Sequence, residues 1–338
     1  MLTISELQAQ ALQGAVSAEV HAQGEGCLEK VTAAGKPYLE LRLRDADGSM
    51  VLRSWSDAPS YEVASRLGEQ AFVAVKGEFQ NHEQFGLDSR RWELRELTAD
   101  EQQALLGAAN PSAEQAWEEL SGMVREISDP RLRQVSERFL AEHGARFRRA
   151  SAARQNHHAE RGGLLRHTLQ MMRSARALCS VYPDLNADLL SAGVLFHDCG
   201  KLWETCAPED GFTIGRTMPG EMLGHITIGI ELINHLWKQL PLGDWTSETP
   251  RSEEVRLHLL HLVASHHGEY AFGSPVLPKT PEAIALHFID NLDAKLEMIT
   301  KASATAPEVA PGIYDRVYPL PGTTVRALSR FAENTPVE

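Results

Sequence analysis

Seven positions carry the chemistry open to this sequence: His167, the pair His197-Asp198, His225, the pair His266-His267, and Asp290. Imidazole nitrogens and carboxylate oxygens together are the ligand set of a hydrolytic divalent-metal site. Eleven of the 14 histidines fall between His157 and His287, so the donors are concentrated in one part of the chain. One or two ions held this way would lower the pKa of a bound water and bind phosphate oxygens. Two ions about 3.5–4 Å apart would stabilise both the attacking and the leaving oxygen of an in-line displacement. Adjacent helical residues point about 100° apart, so His197 and Asp198 need not serve one ion alike. Asp198, with two oxygens, can bridge two.

We take His167, His197, Asp198, His225, His266 and Asp290 as the metal ligands. Lys201, one turn past His197, is placed to neutralise charge on a phosphoryl transition state. His267 stays open between ligand, substrate contact and general acid–base group, so Asp198, Lys201 and His267 are the catalytic candidates. A lone histidine on an apolar helix is usually structural, and His235, His258, His261 and His287 are read so. Cys199 and the pair Met171-Met172 are read as packing.

These donors need rigid elements to hold them. His167 sits in a helical run, and an apolar run from Val194 leads into His197-Asp198, with Gly200 as a C-terminal stop. From Ala99 onward the apolar period is helical. Asn110-Pro111-Ser112 marks a boundary with Ser112 as N-cap, and Asp129-Pro130 breaks two helices. Before Ala99 the pattern differs. Tyr38–Arg44, Met50–Trp55, Ala71–Gly77 and Arg91–Leu97 have strand period, Asp45–Gly48 is a turn, and Pro59–Leu67 a short helix. About five short strands with one interposed helix suit a Greek-key barrel of the OB type. The fold class is therefore α+β in two domains, an N-terminal OB-type β-barrel followed by an all-α domain. The boundaries read as 1–100 for the barrel, 101–155 for a helical linker region, 156–304 for the metal-binding domain and 305–338 for a C-terminal tail, whose Pro/Gly/Thr-rich run from Thr305 to Thr324 reads as a surface loop or tail.

Length and composition agree with this division. The 338 residues suffice for two cores, and 43% hydrophobic with 23% charged residues is an ordinary soluble profile. No apolar run reaches the roughly 18 residues a membrane helix needs, and residues 1–10 lack the basic start of a signal peptide. The four cysteines have no CxxC spacing, which argues for free thiols in a reducing cytoplasm and against a zinc knuckle. Net charge is −13, which by itself does not suggest a nucleic-acid binder. Eight arginines between Arg146 and Arg176 nevertheless face one acid, Glu160. The plain reading is a solvated helix face; the sharper one is a phosphate track, with Arg149 and Arg154 as substrate contacts. In the barrel, Trp55 and Phe79 are expected to fill the core. His82 and Phe85, in a turn-like run, are the candidates for stacking on bases.

Several runs carry a family likeness: His157-His158-Ala159, Gly162–Thr168, the HDxGK run at His197–Lys201, Leu223–Ile226, Ser265–Gly268, Phe272–Ala283 and Asp290–Lys295. They resemble the HD-domain phosphohydrolase superfamily, and more narrowly the YhaM-type 3′–5′ exoribonucleases, which join an OB-fold to an HD domain. The likeness covers about residues 115–300 well and 15–97 more loosely. It implies stepwise metal-dependent hydrolysis from the 3′ end of single-stranded RNA, and of single-stranded DNA as a second substrate. It also implies manganese, with Fe²⁺, Co²⁺ or Mg²⁺ as other divalent ions, and a substrate role for His158. Glu160 stands where that family usually has an aromatic residue, and the run after Ala302 has no clear counterpart. The rival readings are a phosphohydrolase of nucleotides or cyclic dinucleotides, a catalytically inactive single-strand-binding module, and a di-iron oxygenase built on a similar His/Asp set.

Overall fold

A computed structural model describes residues 2–32, 34–46, 48–68, 70–82, 86–89, 91–107, 111–153, 161–206, 211–212, 215–317 and 320–328. Phe85, Arg154, His158 and Glu160 lie outside these residues.

Helix α1 (Ile4–Ala11) is started by a capping box between Thr3 and Glu6. Six strands follow: β1 (Val16–Val31), β2 (Pro37–Arg44), β3 (Ser49–Trp55), β4 (Phe72–His82), β5 (Gly86–Asp88) and β6 (Trp92–Glu96). The short helix α2 (Ser60–Ser65) stands between β3 and β4, where the sequence places one. Every pairing in this sheet is antiparallel, in the order β3-β2-β1-β4-β5, with β6 also on β4. The length of β1 lets it serve two neighbours. Its first half pairs with β4 and its second with β2, and the register shifts between Gly24 and Gly26, where the strand bends. The end strands β3 and β5 touch, so the sheet rolls up as an OB-type barrel does.

Alternation along β2 turns Leu39, Leu41 and Leu43 into the barrel, where they meet Val73, Val75, Phe79 and Trp92. Ile4 and Leu7 of α1 join this core. Phe79 fills the core as expected. Trp55 does not: it ends β3, is 37% exposed, and packs its ring 5.1 Å from that of Tyr38. Along β3 the inward set is Met50, Leu52 and Ser54, so Trp55 falls on the outward face with Val51 and Arg53.

The chain then becomes helical: α3 (Ala99–Gly107), α4 (Pro111–Arg125), α5 (Pro130–Phe147), α6 (Gly163–Val181), α7 (Ala187–Phe196), α8 (Lys201–Glu204), α9 (Met218–Trp237), α10 (Ser252–Ser265) and α11 (Pro281–Thr305). α4 begins at Pro111, with proline at the first helical position. α7 is apolar all round, with Leu189, Leu190 and every residue from Ala192 to Phe196 buried. Such a helix must sit in the middle of a bundle, and α5, α6, α10 and α11 surround it. The second core forms there, from Phe139, Leu165, Leu190, Phe196, Leu236, Leu262 and Leu286 among others.

Two β elements accompany the helices. β7 (Thr205–Cys206) pairs with β8 (Gly215–Arg216) beside α8. The segment after α11, expected to be a surface loop or tail, forms a small sheet from β9 (Glu308–Ala310), β10 (Ile313–Tyr314) and β11 (Thr324–Val325). No helix among the described residues is long and apolar enough to cross a membrane.

Candidate metal centre

His197 and His266 stand at the ends of α7 and α10 and His225 at a kink in α9, while His167 and Asp290 lie within α6 and α11; ring orientation follows from the acceptors each place offers. The last carbonyls of a helix have no partner within it. His197 caps α7, and its Nδ1 lies 2.7 Å from Val194 O, three residues back. His266 caps α10 in the same way, with Nδ1 2.7 Å from Val263 O. His267 Nδ1 lies 2.6 Å from Phe272 O. A carbonyl only accepts, so each of these imidazoles carries its proton on Nδ1 and presents Nε2.

The other two imidazoles are oriented by carboxylates. His167, in α6, has Nδ1 2.7 Å from Asp293 Oδ2, and Asp293 comes from α11. His225 follows Gly224, whose φ of 69° interrupts α9. Its Nδ1 lies 3.0 Å from Glu204 Oε1, which also accepts from its backbone N at 3.2 Å.

The Nε2 atoms converge in two groups. His167, His197 and Asp290 bring donor atoms within 4.8 Å of one another, and so do His225, His266 and His267. Asp198 lies between them. Its Oδ2 is 3.2 Å from His197 Nε2 and 2.6 Å from Lys201 Nζ. Its Oδ1 is 3.4 Å from His225 Nε2 and 3.7 Å from His266 Nε2. Asp198 Oδ1, His225 Nε2 and His266 Nε2 are buried without a hydrogen-bond partner. Buried polar atoms are rarely left so, and three facing one another are what a cation-binding cavity leaves. The donor set therefore fits divalent ions, with nitrogen and carboxylate ligands in both groups once Asp198 is counted.

The electrostatics point the same way. Burial pushes the His266 imidazole well below its ordinary value, reinforced by His267 and His197, so it is neutral and ready to donate a lone pair. Burial also lowers His267, with His225 adding to it. Burial opposes the charge on Asp198, but Lys201 and His197 outweigh it and hold the carboxyl well below its usual range. At His167 burial works against the imidazolium, yet hydrogen bonds to Asp290 and Asp293 prevail and raise it to about 9. The first group thus draws positive charge even where no metal is counted.

Gly200 does not stop a helix. α7 ends at Phe196, and Gly200 has a right-handed φ of −67° and leads into α8. A Cβ there would overlap His225 O and come 2.8 Å from Gly229 N, so the residue is small because the α9 backbone lies against it. Cys199 is buried against Gly229 and packs as expected. His287 is structural as well, its Nδ1 3.0 Å from His266 O.

The substrate candidates are dispersed. His82 is exposed at the end of β4 on the barrel. Arg149 is half-buried after α5, and its carbonyl accepts from Gly162 N at the start of α6. Part of the basic stretch is spent on acids in or just after α4: Arg148 pairs with Glu114, Arg173 with Glu119 and Arg176 with Glu126. Asp293 and Glu204 are not among the site residues expected from sequence. Asp293 was accessible, since it lies one helical turn from Asp290 and shares its face. Glu204 has no such local signal.

Comparison with known proteins agrees with the geometry. The family model described as "HD domain" matches residues 164–295, which contain all seven donors. The chain is 33% identical over 294 residues to the 3′-5′ exoribonuclease YhaM of Bacillus subtilis (strain 168), covering 86% of this chain and 88% of that protein. It is 33% identical to the protein of the same name from Geobacillus sp. (strain WCH70), covering 86% and 85%. A third, from Bacillus velezensis, is 32% identical over 86% and 88%. With likeness of that extent spanning both the barrel and the helical half, the chain belongs to the YhaM-type family of HD-domain proteins.

Proposed function

We propose that this chain is a metal-dependent 3′–5′ exoribonuclease that hydrolyses the phosphodiester bonds of single-stranded RNA with a metal-activated water. The observation that carries the hydrolytic part is the pair of converging donor triads, buried or half-buried, with Asp198 between them. The names of the relatives carry the substrate and the polarity. Single-stranded DNA is a second substrate on this reading, and manganese the preferred ion. The free Cys27, Cys179 and Cys199 suit a cytoplasmic enzyme.

His167, His197 and Asp290 would hold one ion, His225, His266 and His267 the other, and Asp198 would offer an oxygen to each. Divalent ions bound there supply a water of lowered pKa and positive charge for phosphate oxygens. The protein supplies the rest. Carbonyls and carboxylates behind each imidazole keep the rings from turning. Nε2 of His267 faces the donors of His225 and His266, which supports a ligand role over proton transfer. Lys201 stays charged beside Asp198 and adds a fixed cation where phosphate charge develops. His225 and Asp290 keep partial exposure, so substrate approaches from their side. Arg149, Arg154, His158, His82 and Phe85 remain the proposed contacts to the strand.

The test is a metal-depleted preparation titrated with Mn²⁺, Mg²⁺, Fe²⁺ and Co²⁺ and offered a 5′-labelled single strand beside free nucleotides. A ladder of shortened products is expected. Turnover of nucleotides alone would assign a small-molecule phosphohydrolase, and tight binding without cleavage a binding module. Asp198→Ala should lower cleavage on the order of 10³-fold or more, because several kcal/mol of charge stabilisation go with the ions. Metal content should fall with it, while circular dichroism keeps the barrel signal.

A further inference from the structure

The five imidazoles of the centre are supported in two different ways. His197, His266 and His267 rest on main-chain carbonyls, which are neutral acceptors that no side-chain change can alter. His167 rests on Asp293 and His225 on Glu204, at 2.7 Å and 3.0 Å. The two carboxylates are divided one to each triad. They come from different elements, Asp293 from α11 and Glu204 from the end of α8. A charged acceptor behind an imidazole fixes its tautomer and raises the basicity of the ligating nitrogen more than a carbonyl does. Glu204 also holds the backbone N of His225 at the α9 kink, so it sets the position of that ring as well as its orientation.

We infer that Asp293 and Glu204 are positioning residues that set the affinities of the two ions separately: Asp293 for the ion of His167, His197 and Asp290, Glu204 for the ion of His225, His266 and His267. The inference rests on the two-ion reading given above. It makes the centre separable, so that one ion can be weakened while the other is held.

The experiment is calorimetric titration of Mn²⁺ into the metal-free full chain, with electron paramagnetic resonance on the same samples. Wild type should take up two ions and show a spin-coupled pair. Asp293→Asn and Glu204→Gln, which keep side-chain size, should each weaken one ion about 10–100-fold. The other ion should stay within about threefold, and each variant should show isolated Mn²⁺ at concentrations that fill both wild-type sites. In a His225→Ala background, Asp293→Asn should weaken the remaining ion and Glu204→Gln should not. Should an amide variant not fold, Asp293→Glu and Glu204→Asp, which displace the charge by one methylene, are titrated for the same site-by-site split. Equal weakening of both ions by either variant, or unchanged affinity in both, overturns the inference while the two-ion reading stands. A wild type that binds fewer than two ions overturns that reading, and the inference with it.

Discussion

Gly200 shows how narrowly single residues are constrained around the centre. It follows Asp198 by two positions, and the backbone of α9 lies against its α-carbon at His225 and Gly229. An added methyl group meets main-chain atoms and not a flexible side chain, so α8 and α9 must separate. That displacement acts on both sides of the centre at once, since Asp198 precedes Gly200 and His225 is the residue overlapped. Gly200→Ala should therefore destabilise on the order of 3 kcal/mol or more, at the high end for one substitution. It should also reduce metal uptake. Thermal unfolding and metal analysis of the purified variant check both, and a variant with wild-type values in each would show that the helices do not press together there.

At the scale of elements, the start of α5 joins three parts of the bundle. Asp129 caps the helix, accepting from the backbone N of Arg131 and Leu132. Its backbone N donates to Asp188 at the start of α7. Arg131 is only 2% exposed and is satisfied by Asp129 and by Pro250 O. Burial opposes ionisation of Asp129, but the Arg131 guanidinium and the helix N–H groups outweigh it and hold the carboxyl below its ordinary value of 3.8. A carboxylate with a lowered folded value stabilises the protein above that ordinary value. The contribution fades as pH falls through the folded value. Asp129→Asn should cost about 3 kcal/mol at neutral pH, because it leaves a buried cation without its counter-charge. Urea unfolding at decreasing pH should show wild type and variant converging below about pH 4.

At the scale of the whole molecule, Phe212 carries a contact between the two halves among the described residues. Phe212 follows the short strand after Glu204 and is buried against the barrel. Its N donates to Gln23 Oε1 at 2.6 Å, its ring stands edge-on to Phe72 at 6.2 Å, and Arg161 donates to the neighbouring Gly211 O at 2.7 Å. α1 and α11 also touch. The barrel is thereby attached next to the segment that carries Lys201 and Glu204. Phe212→Ala should cost about 3–5 kcal/mol, as loss of a buried aromatic side chain does. Because that loss falls on the junction, calorimetry should resolve a single unfolding transition into two. Metal content should stay at the wild-type level, and cleavage of long strands should slow more than cleavage of short ones.

What the sequence determined by itself is what local periodicity and residue chemistry encode. The alternation of Leu39, Leu41 and Leu43 made β2, the apolar run before His197 made a buried α7, and the supply of imidazoles and carboxylates announced a metal centre. The resemblance carried by those motifs named the family. Local rules fail where the partner comes from another element. Trp55 is large and apolar like a core residue but falls on the outward phase of β3, opposite to Met50, Leu52 and Ser54. The segment after α11 reads as loop but pairs into three short strands. Only the tertiary structure decided which donors share a site. The adjacent His197 and Asp198 are divided, with the histidine in one triad and the aspartate between both, and His267 joins His225 and His266. His167 and Asp293 meet across 126 residues of chain, and Glu204 meets His225 at the point where Gly224 interrupts α9. The physical reason is that side-chain type and spacing act over one or two turns, whereas the ångström-scale gaps between donors are set by how buried helices pack against one another.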